Sequence, residues 1–364
     1  MQFLSYSFII LWTLTFAVYY LLPKKKQWYV LLLSSLVFYM IGLGGIPIAL
    51  FLTAFSAYGC GLYLKKSLEA QEAALTGCTD KERKKSTKAA FAKKRKRMQI
   101  LFFLLNLGLA VPVLEETMGL QADFLKKVVM PLGISFYTLT AMGYVIDTGR
   151  EQCGAETSFP RLLLFLSYFP AITQGPFNRY TKLKQQFETE HIFSYERMLY
   201  GVQRFVWGAF KKLVIADRIG IFVDQVFGSD VSAVPGSIYA CAVVFYMLQL
   251  YADFSGYIDM AMGVSETFDI ALPENFRRPY FAGSVAEFWR RWHITLGAWF
   301  KDYVMFSFTM SGMGRKIGKY CKKKWNGMGR HVVPIIGTML VWFFTGAWHG
   351  RTAAYMLLGL YYGV

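Results

Sequence analysis

Two histidines set the chemical question. His293 lies in the stretch 284–303, SVAEFWRRWHITLGAWFKDY, among Trp289, Arg290, Arg291 and Trp292. His349 closes a second stretch, VPIIGTMLVWFFTGAWHG at 333–350. Imidazole titrates near physiological pH, so it can take a proton from a hydroxyl and return it within one cycle. At the end of an apolar run it is sheltered from water, which favours transfer to a chosen acceptor over hydrolysis. Acyl transfer fits this pattern: attack of a hydroxyl on a thioester needs one general base and one group that polarises the carbonyl. His349 and His293 can divide those tasks, with Asp253 or Asp259 orienting one of them. Plainer readings stand beside these. A membrane histidine can simply hydrogen-bond a neighbouring helix. Trp289 and Trp292 can form an interfacial belt with Arg290 and Arg291 snorkelling beside them, and Glu287 and Arg291, four apart, can pair on one helix.

The elements that must position these groups are apolar. The chain has 364 residues, 55% hydrophobic and 18% aromatic, with a mean hydropathy of +0.33. Repeated runs of about 20 apolar residues match the thickness of a bilayer core. They are continuous and do not alternate with period two, which excludes a membrane β-barrel. The fold class is therefore an all-α polytopic membrane protein. A net charge of +17 reads as topogenic charge on cytoplasmic loops. The cationic loops lack interleaved aromatics, so no nucleic-acid partner is expected. Five cysteines form no CxxC pair, and neither a disulfide framework nor a metal site is implied.

The first apolar segment, 3–22, is followed by Lys24, Lys25 and Lys26, the reverse of a secretory signal. It is expected to be a retained span with its N-terminus outside. Spans are expected at 28–41 and 48–64, joined by a turn at 42–47. Residues 65–97 hold twelve Lys or Arg against four Asp or Glu; they read either as a helix on the anionic inner leaflet or as a solvated loop. A span at 98–114 leads to the acidic Glu115 and Glu116, expected in an outer loop, and 128–147 returns. Pro170, Gly175 and Pro176 interrupt 162–180, which reads as a re-entrant or short interfacial element. Residues 198–227 read as a helix pair or a tilted helix. A firm span at 238–264 carries Asp253 and Asp259, which must face a bundle interior or water. The basic linker 314–330 is expected to be cytoplasmic, before an apolar run at 332–348.

Four blocks taken together resemble the membrane-bound O-acyltransferase superfamily: ISFYTLTAMGYVIDTGR at 134–150, FPAITQGPFNRY at 169–180, the long run 248–303, and TGAWHG at 345–350. The branch they are most similar to contains bacterial alginate O-acetyltransferase membrane subunits and D-alanyl transfer proteins of teichoic acid. The resemblance implies a single membrane-embedded domain over 1–364, lacking the last C-terminal spans of the family, with basic cytoplasmic loops at 65–97 and 314–330. It implies a ring of transmembrane helices with re-entrant elements around a central tunnel. His349 matches the family's catalytic histidine and His293 its second one, while Trp289, Arg290, Arg291, Trp292 and Asn275 fall at tunnel-lining or supporting positions.

The implied activity is transfer of an acetyl group from a cytoplasmic thioester, acetyl-CoA, across a bacterial cytoplasmic membrane to a cell-surface polysaccharide. No permanently bound cofactor is expected. The implied partner is an extracytoplasmic acetyltransferase of the secreted esterase-like type. The alternatives are D-alanyl transfer to teichoic acid from a carrier-protein thioester and, in another class, a lipid or polymer transporter without acyl chemistry.

Overall fold

A computed structural model describes residues 2–43, 47–117, 133–230, 232, 234–325, 329–350 and 353–363. The turn at 42–47 and the start of the span at 128 fall partly outside these residues. Among the described residues there is no β-strand. The helices are α1 (Tyr6–Leu21), α2 (Gln27–Leu43), α3 (Ile48–Leu75), α4 (Lys81–Thr117), α5 (Ile134–Gly149), α6 (Phe159–Ser167), α7 (Tyr180–Glu188) and α8 (Tyr195–Phe210). They continue with α9 (Asp217–Gly228), α10 (Gly236–Glu266), α11 (Val285–Arg291), α12 (Ile294–Phe300), α13 (Phe306–Thr309), α14 (Gly312–Trp325), α15 (Gly329–His349) and α16 (Ala353–Gly363). Two π-helical turns interrupt the pattern, π1 at Lys211–Ala216 and π2 at Lys301–Met305.

Three of these helices, α3, α10 and α15, are long and apolar enough to cross a membrane, and α1 is a shorter apolar helix. Large side chains such as Ile10, Leu14, Val244 and Phe245 stand exposed along them. Surface of that kind is costly in water and is solvated by lipid tails. The described chain forms two compact units: Met1–Ala54, Pro131–Tyr137 and Ser158–Arg277, and Phe55–Met130, Thr138–Thr157 and Arg278–Val364.

The core of the first unit is aromatic, with Tyr19, Phe38, Tyr39, Tyr168, Phe169 and Phe268 fully buried. Two polar tips in and beside it find partners. The Tyr168 hydroxyl lies 2.8 Å from Ser265 Oγ, and Trp12 Nε1 donates to Thr267 Oγ1 at 3.0 Å. The 162–180 segment is no continuous span: α6 ends at Ser167, and turns over 169–174 followed by an irregular stretch carry the chain to α7. The stretch 198–227 is one helical run, α8–π1–α9, with the π turn in its middle. Its N-terminal half runs antiparallel to α10 on a glycine seam. A Cβ at Gly201 would meet the Gly263 carbonyl oxygen at 2.6 Å, and one at Gly208 the Gly256 oxygen at 2.5 Å. Only glycine permits backbones to approach this closely.

In the second unit, residues 65–97 are helical except for the turn after Leu75. The two helices are joined at two levels, with Arg95 Nη2 donating to Gln71 Oε1 at 3.0 Å and Asn106 Nδ2 to Ser56 Oγ at 3.0 Å. The basic segments therefore prolong α3 and α4 as a helical hairpin. Helix α4 continues through Glu115 and Glu116 to Thr117, and the basic 314–330 segment is largely α14, which buries Gly314 and Cys321 and places Lys322, Lys323 and Lys324 in its last turn. Cations at that end complement the helix dipole.

Candidate active site

Local sequence builds the first half of the site. Ser284 caps α11 by accepting from the Glu287 backbone N–H at 3.2 Å, and the Glu287 carboxylate accepts from the Gly283 N–H at 2.8 Å. This is the S-x-x-E signature of a helix start. The Gly283 N–H, with the Arg291 guanidinium one turn on, holds the Glu287 carboxyl below its usual range. Arg291 pairs with Glu287 as the i,i+4 spacing predicts, and its Nη1 donates to the Arg278 carbonyl at 3.4 Å. Trp289 packs against Trp342 and Tyr362, with centroids 4.5 and 5.3 Å away. Trp292 stacks on Phe288 at 5.6 Å, and Arg290 is exposed.

The chain then breaks. His293 takes a left-handed conformation, φ 45° and ψ 49°, and serves as the N-cap position of α12. Such a backbone is uncommon for a residue with a side chain and marks a place that its surroundings hold. The break turns the imidazole inwards, leaving it 5% exposed.

The second half comes from α15. His293 and His349 lie 6.4 Å apart by ring centroids, in a T-shaped arrangement, and Trp348 lies 6.1 Å from His293 and 4.9 Å from His349. A register explains the meeting. The run α12–π2–α13 and α15 are antiparallel, and a Cβ at Gly337 would sit 2.9 Å from Met305 Cγ. Met305 follows His293 by as many residues as Gly337 precedes His349. The two histidines thus sit level because Met305 and Gly337 do.

One hydrogen bond fixes the tautomer. His349 Nδ1 is 2.8 Å from the Thr345 carbonyl oxygen, one helical turn back. A carbonyl oxygen only accepts, so Nδ1 carries the proton, and in the neutral ring Nε2 holds the lone pair. Tyr355 crowds Gly350, the residue after His349, so closely that a Cβ there would lie 2.1 Å from the ring. His349 is exposed, unlike His293.

The other expected site residues belong to the first unit. Asp253 pairs with Lys212 at 2.6 Å. Asp259 accepts from Arg204 at 2.9 Å and pairs with Lys211, which also donates to Ser255 at 3.0 Å. Arg204 reaches Glu274 as well, at 2.8 Å. These contacts join α8 and π1 to α10, a helix-pairing role for charge. Asn275 is fully buried. Of the four histidines, His191 shows what a structural one looks like: Nε2 lies 2.7 Å from the Gln186 carbonyl, while Gln27 brackets its backbone N–H and carbonyl at 3.0 and 2.9 Å.

Sequence reasoning passed over Thr345, Trp348, Asp147 and Tyr303. The first two lie inside the TGAWHG block beside His349. Asp147 is an ionisable residue in an apolar helix, the same signal that singled out Asp253 and Asp259.

The pattern of the membrane-bound O-acyltransferase family, MBOAT, matches residues 96–320. The chain belongs to the membrane-bound O-acyltransferase family. Among curated members of this family, the chain is 34% identical over 249 residues to a probable alginate O-acetylase of Pseudomonas syringae pv. tomato, covering 68% of this chain and 44% of that protein. It is 32% identical over 290 residues to the peptidoglycan O-acetyltransferase of Helicobacter pylori, covering 72% and 50%. It is 31% identical over 238 residues to the teichoic acid D-alanyltransferase of Bacillus subtilis, covering 64% and 57%. The chain thus spans about half the length of the curated relatives it matches. The family match contains His293, and His349 lies beyond it.

Proposed function

We propose that this protein is a membrane O-acyltransferase that carries an acetyl group from a cytoplasmic thioester, acetyl-CoA, towards a cell-surface polysaccharide. The observation that carries the reading is the His349 tautomer: Nδ1–H is tied to Thr345, which leaves Nε2 as the basic nitrogen beside His293 in a member of an acyltransferase family. Nε2 takes the proton of the acceptor hydroxyl as its oxygen bonds to the thioester carbon. The buried His293 polarises the carbonyl. The C–S bond then breaks, and the thiolate leaves as a thiol with the proton returned from His349. General-base assistance of this kind contributes about 10²- to 10⁴-fold in rate.

The basic segments 65–97 and 314–330 face the cytoplasm in this reading, in keeping with the positive-inside rule, with the N-terminus outside and the protein in a bacterial cytoplasmic membrane. Trp289, Arg290, Arg291 and Trp292 line or support the acyl path. The acetyl group passes to an extracytoplasmic acetyltransferase that completes delivery. No resident cofactor is needed, since the thioester is already activated.

The similarity to teichoic acid D-alanyltransferases supports a second reading, with D-alanine delivered from a carrier-protein thioester. Labelled donors separate the two. Membranes containing the protein should release CoA from labelled acetyl-CoA and incorporate label into polysaccharide. Incorporation of labelled D-alanine in place of acetate would overturn the acetyl reading, and polymer movement without label in either case would make the protein a transporter.

A further inference from the structure

The helix that begins at His293 is gripped along a second face by α5. Trp299 Nε1 donates to the Leu139 carbonyl at 3.0 Å, and the Tyr303 hydroxyl donates to Asp147 Oδ2 at 2.6 Å. Arg150 donates to the Asp302 carbonyl at 3.0 Å and to Ser307 Oγ at 2.7 Å. Its guanidinium also lies over the Phe306 ring at 5.2 Å. Between these bonds Gly143 gives way to the rings: a Cβ there would meet Tyr303 at 3.2 Å and Trp299 at 3.3 Å. Leu139, Gly143 and Asp147 are spaced to share one face of α5, Arg150 follows just past its end, and their partners rise in the same order, so the two helices pack in parallel.

The Tyr303 to Asp147 bond is buried. Asp147 is 8% exposed, Trp299 8% and Tyr303 5%. A carboxylate in that position costs several kcal/mol unless its hydrogen bonds are made. Tyr303 also lies within π2, the turn whose last residue, Met305, sets the register with α15 through Gly337. One segment is therefore held on one face by α5 and on another by the helix that carries His349.

We propose that Asp147, Tyr303 and Trp299 are positioning residues: they hold the α12–π2 segment in the register that keeps the His293 ring buried beside His349. The proposal rests on the acyl-transfer reading only for its effect on rate. Its effect on His293 is independent of any reaction. Without the Tyr303 to Asp147 bond, π2 is free to revert to regular α-helical winding, which shifts every residue on one side of it relative to α15.

The test uses the intact protein in detergent or lipid discs. Tyr303→Phe removes a single oxygen and leaves the ring in place. Asp147→Leu removes the acceptor, and Asp147→Asn keeps an oxygen that can accept from Tyr303. Diethyl pyrocarbonate labelling, read by peptide mass spectrometry, should find His293 protected in the parent protein and at least about fivefold faster to label in Tyr303→Phe and Asp147→Leu, with Asp147→Asn close to the parent. Labelling of the exposed His331 serves as the internal standard. In acyl transfer the first two variants should lose about 10- to 100-fold in kcat, the scale of small misplacements at a reacting centre, with KM within about twofold, and the asparagine variant should recover most of it. Unchanged His293 labelling in Tyr303→Phe overturns the proposal whatever the activity shows. Faster labelling combined with transfer that no histidine substitution affects keeps the positioning role and overturns the acyl-transfer reading.

Discussion

The two units contain the same construction put to opposite uses. In each, a helix interrupted by a π turn runs antiparallel to a membrane-length helix across a glycine contact: α8–π1 on α10 through Gly201 and Gly208, and α12–π2 on α15 through Gly337. In the first unit the facing side chains are Arg204, Lys211 and Lys212 against Asp253 and Asp259. Every charge there meets its opposite, and the result is adhesion. In the second unit the facing side chains are two imidazoles, one with a proton committed to Thr345. In the proposed function one of them, His349, keeps a basic nitrogen for chemistry. Buried polarity alone does not mark an active site, as the paired charges of the first unit show.

The largest effect expected from this contrast is on stability in the first unit. Asp259→Ala leaves the buried Lys211 without its carboxylate, while Arg204 keeps Glu274, and should cost about 3–5 kcal/mol, read by chemical unfolding in detergent. Adding Lys211→Met should recover part of it, because an apolar residue replaces an unpaired charge. Loss of transfer by Asp259→Ala with unfolding unchanged would break the comparison. A smaller effect is expected beside the site. Gly350→Ala forces a methyl into the Tyr355 ring and should cost about 1–3 kcal/mol through overpacking, with Tyr355→Ala in the same chain restoring both stability and transfer. The smallest effect belongs to Glu287→Gln. The Glu287 carboxyl titrates below its usual value in the folded protein, so its contribution is present above the unfolded carboxylate range and is lost as pH falls through the folded pKa. The variant should melt slightly below the parent at neutral pH and together with it in strong acid.

Much of this was legible in the sequence. Hydropathy placed α1, α2, α10 and α15 close to their observed bounds, because apolar length is a one-dimensional property. The Glu287–Arg291 pair followed from spacing alone, and Pro170, Gly175 and Pro176 announced the end of α6. The break at His293 was hidden, since neither Pro nor Gly marks it: tertiary contacts impose the left-handed turn. The π turns were hidden for the same reason. The choice between loop and helix for 65–97 rested on pairing between Gln71 and Arg95, which no local pattern records. The pairing of His293 with His349 was read from imidazole chemistry and from family resemblance, and its cause, the Met305 to Gly337 register, appears only in three dimensions. Asp147 was visible as an intramembrane carboxylate, but its partner Tyr303 was not.

The central claim is that His349 supplies the base. Single-turnover consumption of acetyl-CoA by the purified intact protein measures this directly, with His349→Ala compared against the parent at equal folded fraction. The account predicts a fall of about 100-fold or more with no change in unfolding midpoint. Consumption within about twofold of the parent would contradict it.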